Sequence, residues 1–409
     1  MAAEAADKHE SQIEIARKTG IPVVDIDMYS EAALSNPYPI YRQFRDMGGV
    51  VYLAHHGFYA LTTFEQVRSA LADWERFSSA NGVTMNHEFN DLVSHSTLFS
   101  DAPRHKVLRE VLGRPLIPAA LQKLKERIDG EAERLVESLV RRRRFDGVRD
   151  LAQYLPMTVV SHLVGLPDEG RSKMLRWAFA TFDAFGPESQ RTAGSLNIVK
   201  ELFAFNHEYL TREMVVPGSW LAHLFSAADR GEISEAECSG LLSDYIVPSL
   251  DTTISATANA ICQFAANPEQ WTLLRENPRL IPNAINEVMR IEAPVQGFSR
   301  LLREDYRVGD VVLPAGARVV LFYGSANRDD AQWPDPDRFD ISRPAADQLG
   351  FGHGPHRCIG ANLARLELSA LLSRLIEKVE RIYVRSSVRA INSVIRGFGA
   401  IDVELELVS

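Results

Sequence analysis

The stretch Phe351-Gly352-His353-Gly354-Pro355-His356-Arg357-Cys358-Ile359-Gly360 concentrates residue types that can do chemistry. Its glycines and proline favour an irregular loop, and a cysteine then stands where a helical pattern, Ala361 to Ile376, begins. Free N–H groups and the dipole at a helix N-terminus favour the thiolate. Cys358 therefore reads as a nucleophile, a metal ligand or a buried structural cysteine. A second pair, Asp251-Thr252, sets an acid beside an alcohol in a long helical pattern; such a pair can relay protons or simply occupy a polar helix face. Ser249 adds a hydroxyl, and Pro248, which cannot donate a helical hydrogen bond, predicts a kink. Glu287 and Arg290 are spaced i, i+3 and can pair on one face, as can His105 and Arg109 at i, i+4. Phe179, Phe182 and Phe185 form an i, i+3, i+6 stripe ahead of Gly186-Pro187, suited to core packing or to an aromatic ligand.

These residues need elements to position them. Asn36-Pro37-Tyr38-Pro39 precedes a helical pattern, Ile40 to Met47, stopped by Gly48-Gly49. Two strand-like runs follow, Val50 to Leu53 and Phe58 to Thr62, split by His55-His56-Gly57. Thr63 with Gln66 reads as a capping box opening a helix through Leu71. From Pro103 to about Ala266 the pattern is helical with polar breaks, and Pro282 to Arg290 reads as a further helix. Phe298 to Ser325 is strand-rich, Asn327 to Pro344 is irregular, a last long helix starts near Ile359, and Ile401 to Val408 alternates like a strand. The expected fold class is mainly α with a small β portion. Residues 1–20 read as a flexible tail and 21–409 as one large domain.

Composition narrows the class. The chain has 409 residues with 45 Lys plus Arg against 54 Asp plus Glu, a net charge of −9. That balance excludes a generic nucleic-acid binder. No apolar run reaches membrane-spanning length, and the N-terminus lacks a signal-peptide core. Three scattered cysteines, Cys238, Cys262 and Cys358, suit a reducing compartment, so a cytoplasmic location is expected.

Taken together, the motifs resemble those of the cytochromes P450, in particular the bacterial branch without a membrane anchor. The Cys358 loop resembles the family's haem-binding signature, Glu287-Val288-Met289-Arg290 its helical Glu-x-x-Arg, and Trp333-Pro334-Asp335-Pro336-Asp337-Arg338-Phe339 the segment that supplies a second arginine. The resemblance implies a two-lobed P450 fold binding haem b (iron protoporphyrin IX). It implies Cys358 as iron ligand, with Phe351, Gly352 and Gly360 shaping the loop and His105, Arg109, Arg300 and His356 on the haem propionates. Glu287, Arg290 and Arg338 would form a structural triad. Asp251 and Thr252 would deliver protons, with Ser249 at a position where the family has no side chain.

The implied activity is a monooxygenase that uses O2 and two electrons from a ferredoxin and its reductase to hydroxylate or O-demethylate a small aromatic substrate. Arg104, Lys106, Arg109, Arg357 and Arg365 would form a basic docking face. Phe182, Phe185, Val295 and Phe298 resemble the pocket of the subgroup that oxidises para-substituted benzoates. That subgroup carries cations after a Ser-Ser pair and ahead of the acid-alcohol pair; this sequence has Asn81 after Ser78-Ser79, and Ser243-Asp244. A bare benzoate is therefore disfavoured, and Asp244 would repel an anion if it faced the pocket. Two rivals remain: a haem-thiolate peroxygenase using hydrogen peroxide, against which Asp251-Thr252 argues, and a non-catalytic haem- or ligand-binding protein.

Overall fold

A computed structural model describes residues 12–93, 96–209 and 211–408. Helices take 56% of the chain and strands 14%, which agrees with the mainly α expectation. The helices that frame the site are α1 (Arg104–Gly113), α2 (Pro118–Arg142), α3 (Asp168–Ala184), α4 (Gln190–Tyr209), α5 (Glu235–Ala266), α6 (Ile281–Ile291) and α7 (Ala361–Lys378). The strands are β1 (Val23–Val24), β2 (Val50–Leu53), β3 (Phe58–Leu61), β4 (Phe77–Ser78), β5 (Arg144–Asp146), β6 (Gly297–Leu302), β7 (Tyr306–Val308), β8 (Val311–Leu313), β9 (Arg318–Phe322), β10 (Val379–Arg389) and β11 (Phe398–Leu407).

The six-stranded sheet runs β1-β2-β3-β9-β6-β4, and a second sheet runs β10-β11-β5. Two packing units result. A large helical core includes Trp177, Leu241, Ile285, Leu371 and Leu375; smaller cores around the six-stranded sheet include Tyr52, Leu61 and Val319, and Phe44 and Val51. This is the two-lobed division. Among the described residues no helix is long and apolar enough to cross a membrane.

Local sequence rules explain most starts and stops. Thr63 caps the helix Phe64–Ala72 by accepting from the Gln66 N–H, but the capping box is only half formed: the Gln66 amide donates to the Gly48 carbonyl instead. Ser234 and Glu237 make a complete box at the start of α5. Pro248 does not interrupt α5, which continues through it for 32 residues; burial of the flanking Val247 and Leu250 offsets the one missing hydrogen bond. Two expectations are corrected. Residues 12–18 are helical, with Ala16 fully buried, so this part of the expected 1–20 tail is packed; residues 1–11 lie outside the described residues. The strand β10 is also additional to the expected elements, because its solvent side is charged and lacks a clean alternation.

The Glu287–Arg290 pair forms as expected, with Nε and Nη2 of Arg290 donating to the two carboxylate oxygens at 2.7 and 2.8 Å and both side chains at 0% exposure. The third arginine is not Arg338. Arg338 is exposed and offers only its backbone carbonyl to Arg290, whereas the Arg343 Nε donates to Glu287 at 3.3 Å. The physical reason is the turn at Asp335, whose φ is +50°: it carries the Arg338 side chain outward and returns the chain so that Arg343 reaches in. Arg343→Ala should cost about 1.5–3 kcal/mol and Glu287→Ala about 3–5 kcal/mol, since the latter strands a buried arginine. Arg338→Ala should stay within about 0.5 kcal/mol. Urea unfolding of the three variants checks the order.

Candidate active site

A cavity of about 410 Å³ lies between α5 on one side and the Cys358 loop with α7 on the other. Cys358 lines it, so its exposure is to the cavity. The loop before it depends on two glycines. Gly352 has φ +68°, and a Cβ on Gly354 would meet the Leu71 carbonyl oxygen at 2.4 Å. The Cys358 N–H donates to the Phe351 carbonyl at 2.8 Å, and the Arg365 guanidinium lies 4.4 Å from the Phe351 ring. Burial pushes the Cys358 thiol up, while the N–H groups of Gly360 and Ala361 and the charges of Arg109 and Arg365 pull it down. Dehydration outweighs the helix terminus here, so the thiolate needs a cationic partner to persist. Phe351, Gly352 and Gly360 all line the same cavity.

Four basic side chains converge beside the cysteine. His105, Arg109, Arg300 and His356 all line the cavity. The His105 and His356 rings are 4.2 Å apart, and His105 Nε2 is buried without a hydrogen-bond partner. Arg300 donates to the Ser299 carbonyl, and Arg109 to the Arg357 carbonyl. Among the described residues no carboxylate hydrogen-bonds to any of the four. Burial, then the charges of Arg300, His105 and Arg109, push His356 down to about 2. A cluster so short of anions has donors to offer a carboxylate.

On the α5 side, Ser249 and Thr252 line the cavity, and the Thr252 hydroxyl donates to the Pro248 carbonyl at 2.6 Å. Asp251 does not line it: consecutive helical residues point about 100° apart. Its Oδ2 is buried without a partner, and burial raises the carboxyl to about 7. Sequence reasoning missed Glu367. It lines the cavity from α7, its Oε1 lacks a partner, and burial raises it to about 8. A glutamate in the buried apolar stripe of Leu363, Leu368 and Leu371 was the available signal.

The far end is aromatic. Phe182, Phe185, Val295 and Phe298 line it as expected, joined by Phe89 and Phe99; Phe179 does not. Phe185 packs on Phe89 at 4.7 Å, Phe182 at 5.7 Å and Phe298 at 6.0 Å. Phe89 and Phe99 come from a short helix and a loop with no periodicity to announce them. Asp244 does face the cavity, and it accepts from Ser96 Oγ, Thr97 N and Thr97 Oγ1 at 2.6–2.7 Å. Burial raises it to about 6. Asn81 is exposed and outside the cavity, because Ser78, Ser79 and Ala80 wrap the Asp101 carboxylate instead. On the outer face Lys106 and Arg357 are exposed, but Arg104 is engaged by Glu237 of α5 and Arg365 donates to Asn286.

Residues 212–388 match the profile described as Cytochrome P450. Among curated proteins the chain is 32% identical over 391 residues to cytochrome P450 CYP199A2 of Rhodopseudomonas palustris, covering 94% of this chain and 95% of that one. It is 32% identical over 372 residues to the beta-dihydromenaquinone-9 omega-hydroxylase of Mycobacterium tuberculosis, covering 88% and 74%. Among solved structures it is similar to cytochrome P450 CYP109Q5 from Chondromyces apiculatus, with a TM-score of 0.80 and 28% identity, covering 94% of this chain and 99% of that one.

Asp251 and Glu367 make a pH prediction. The unfolded chain releases these protons near 3.8 and 4.5, while the folded chain holds them to about 7 and 8. Folding thus retains protons across that window, and stability falls as pH rises through it. Thermal melts from pH 4 to 8 should show a shallower decline for Asp251→Asn and Glu367→Gln than for the native protein. Each removes roughly a few kcal/mol of pH dependence.

Proposed function

The chain belongs to the cytochrome P450 family and is a haem-binding monooxygenase; from that premise we propose that Cys358 is the axial thiolate and that the substrate is a small, uncharged aromatic molecule. The observation that carries this reading is that Cys358, Thr252 and the phenylalanine cluster line one cavity. The residues present suit haem. Cys358 opens onto the cavity, and His105, Arg109, Arg300 and His356 would supply donors for two propionates, since among the described residues no carboxylate hydrogen-bonds to any of them. When bound, haem supplies the two-electron activation of O2.

The protein's own residues do the rest. Cys358 would hold the iron, supported by the N–H groups of Gly360 and Ala361 and by Arg109 and Arg365. Thr252 can turn its hydroxyl from the Pro248 carbonyl into the cavity and pass a proton, and Asp251 Oδ2 stores one near neutral pH. Ser249 offers a second hydroxyl on the same wall. Phe89, Phe182, Phe185 and Phe298 would clamp a flat ring and exclude water, presenting a C–H bond for hydroxylation or a methoxy carbon for O-demethylation. Electrons would come from a ferredoxin and its reductase docking where Lys106 and Arg357 are exposed on the cysteine side.

Asp244 supports the choice of an uncharged substrate. Above about pH 6 it is an anion on the cavity wall, and among the described residues it is held by the Ser96 and Thr97 hydroxyls and the Thr97 N–H, with no lysine or arginine paired to it. A carboxylate there would lose its hydration and meet a like charge.

Two measurements test the reading. Cys358→His should abolish the far-red-shifted Soret band of the ferrous carbonyl complex; a retained band would refute thiolate ligation by Cys358. In spin-state titrations at pH 7.5, methyl 4-methoxybenzoate should bind at least tenfold more tightly than 4-methoxybenzoate, and Asp244→Asn should narrow the gap. Tighter binding of the free acid would overturn the proposed selectivity.

A further inference from the structure

We infer that Asp27, His55 and His56 form a divalent-cation site of the zinc class, which ties the N-terminal segment to the sheet. The β2–β3 turn places His55 and His56 next to each other at the hairpin tip. The strand β1 runs parallel to β2, with the Ala54 N–H donating to the Val24 carbonyl at 2.8 Å, so the chain leaving β1 carries Asp25 and Asp27 across that tip. One candidate ligand atom from each of Asp27, His55 and His56 lies within 4.8 Å of the others. None of these residues lines the cavity of Cys358.

The geometry is built on one fixed and one adaptable imidazole. The His56 ring is buried, edge-on to Tyr29 at 5.1 Å and parallel to Phe58 at 6.3 Å. Its Nε2 accepts from the Met28 N–H at 3.2 Å, and Asp27 Oδ1 accepts from the Tyr29 N–H at 2.9 Å. These two acceptors face each other at 3.2 Å. A cation shared by Nε2 and Oδ1 would replace the hydrogen bonding at His56 Nε2, from the Met28 N–H or from the imidazole's own proton toward Asp27. His55 is half-exposed and free to turn, with Nε2 at 3.9 Å from Asp27 Oδ2. Asp25 stands behind it, 3.8 Å from Nδ1, where a carboxylate orients a ligating imidazole.

Two imidazoles and one carboxylate suit Zn²⁺, Ni²⁺ or Cu²⁺ better than Mg²⁺ or Ca²⁺, which take oxygen donors. Zinc bonds of about 2.0–2.2 Å place tetrahedral ligand atoms roughly 3.3 Å apart. The 3.2 Å pair already matches; His55 Nε2, which stands 3.9 Å from the other carboxylate oxygen, would rotate toward Oδ1 and His56 Nε2 to complete the set. Water takes the fourth position on the open side. The site is a clip: it would join the turn after β1 to the hairpin through metal bonds in place of one weak hydrogen bond.

The test is equilibrium dialysis of the haem-loaded protein against Zn²⁺ with metal analysis. One zinc per chain beyond the iron is expected, removed by EDTA, with a raised Tm while zinc is present. His55→Ala and Asp27→Asn should each weaken binding at least tenfold. Both are compatible with folding, since His55 is half-exposed and an asparagine keeps the acceptor for Tyr29. An unchanged ferrous carbonyl spectrum confirms that. His162→Ala, an exposed histidine elsewhere, should bind like the native protein. No stoichiometric zinc, or binding that survives both substitutions, overturns the site.

Discussion

The buried ion pair between Glu287 and Arg290 is the interaction on which the cysteine loop depends. Two charges at 0% exposure are costly to hold away from water, and here the cost is offset because the donors are spent on the structure around them. Beyond Glu287, Arg290 donates to the carbonyls of Asn327 and Pro336 at 2.8 Å each. Asn327 Oδ1 takes the Leu349 N–H, the Leu349 carbonyl takes the Gly352 N–H, and the Phe351 carbonyl takes the Cys358 N–H. A ladder of hydrogen bonds thus runs from the last turn of α6 to the cysteine. An irregular segment with little regular secondary structure acquires one conformation this way.

The cavity above that loop is divided electrostatically. One flank holds two arginines, Arg109 and Arg300, and two imidazoles that burial keeps neutral, His105 and His356, and among the described residues none of the four has an acidic hydrogen-bond partner. The other two walls hold or adjoin carboxyl groups, Asp251 and Glu367, that burial raises to about 7 and about 8. Separation is what allows both. Were the acids beside the arginines they would ionise and pair with them. The fold achieves the separation by drawing the two kinds of group from α1, β6 and the Cys358 loop on one hand, and from α5 and α7 on the other.

The roof is held by polar clamps at the end of α3. Asp183 is buried and accepts from Ser393 N and Oγ at 3.0 Å and from Ser195 Oγ at 2.7 Å. The Asn392 amide donates to the Phe179 carbonyl, and the Met85 N–H to the Phe185 carbonyl. These bonds tie the α3–α4 corner to two distant loops. They explain why Phe182 and Phe185 turn inward while Phe179 does not: the helix is fixed in rotation by its C-terminal partners, and a stripe spaced at i, i+3, i+6 drifts off one face.

The sequence by itself determined the class of the protein and the residues nearest the chemistry. Turn residues, helix periodicity and the Cys358 loop are local signals, so β2, the hairpin turn, the helix from Phe64 and the start of α7 fall close to where spacing puts them. Only the tertiary structure decided which distant groups meet. Arg343 in place of Arg338 follows from one left-handed residue at Asp335. Asn81 leaves the pocket because Asp101 gathers the Ser78-Ser79 turn, and Phe89 and Phe99 enter it from segments without periodicity. Glu367 and Asp251 become proton-holding acids only because packing removes water and supplies no partner. Burial and long-range pairing are properties of the folded chain, and no spacing along the sequence encodes them directly.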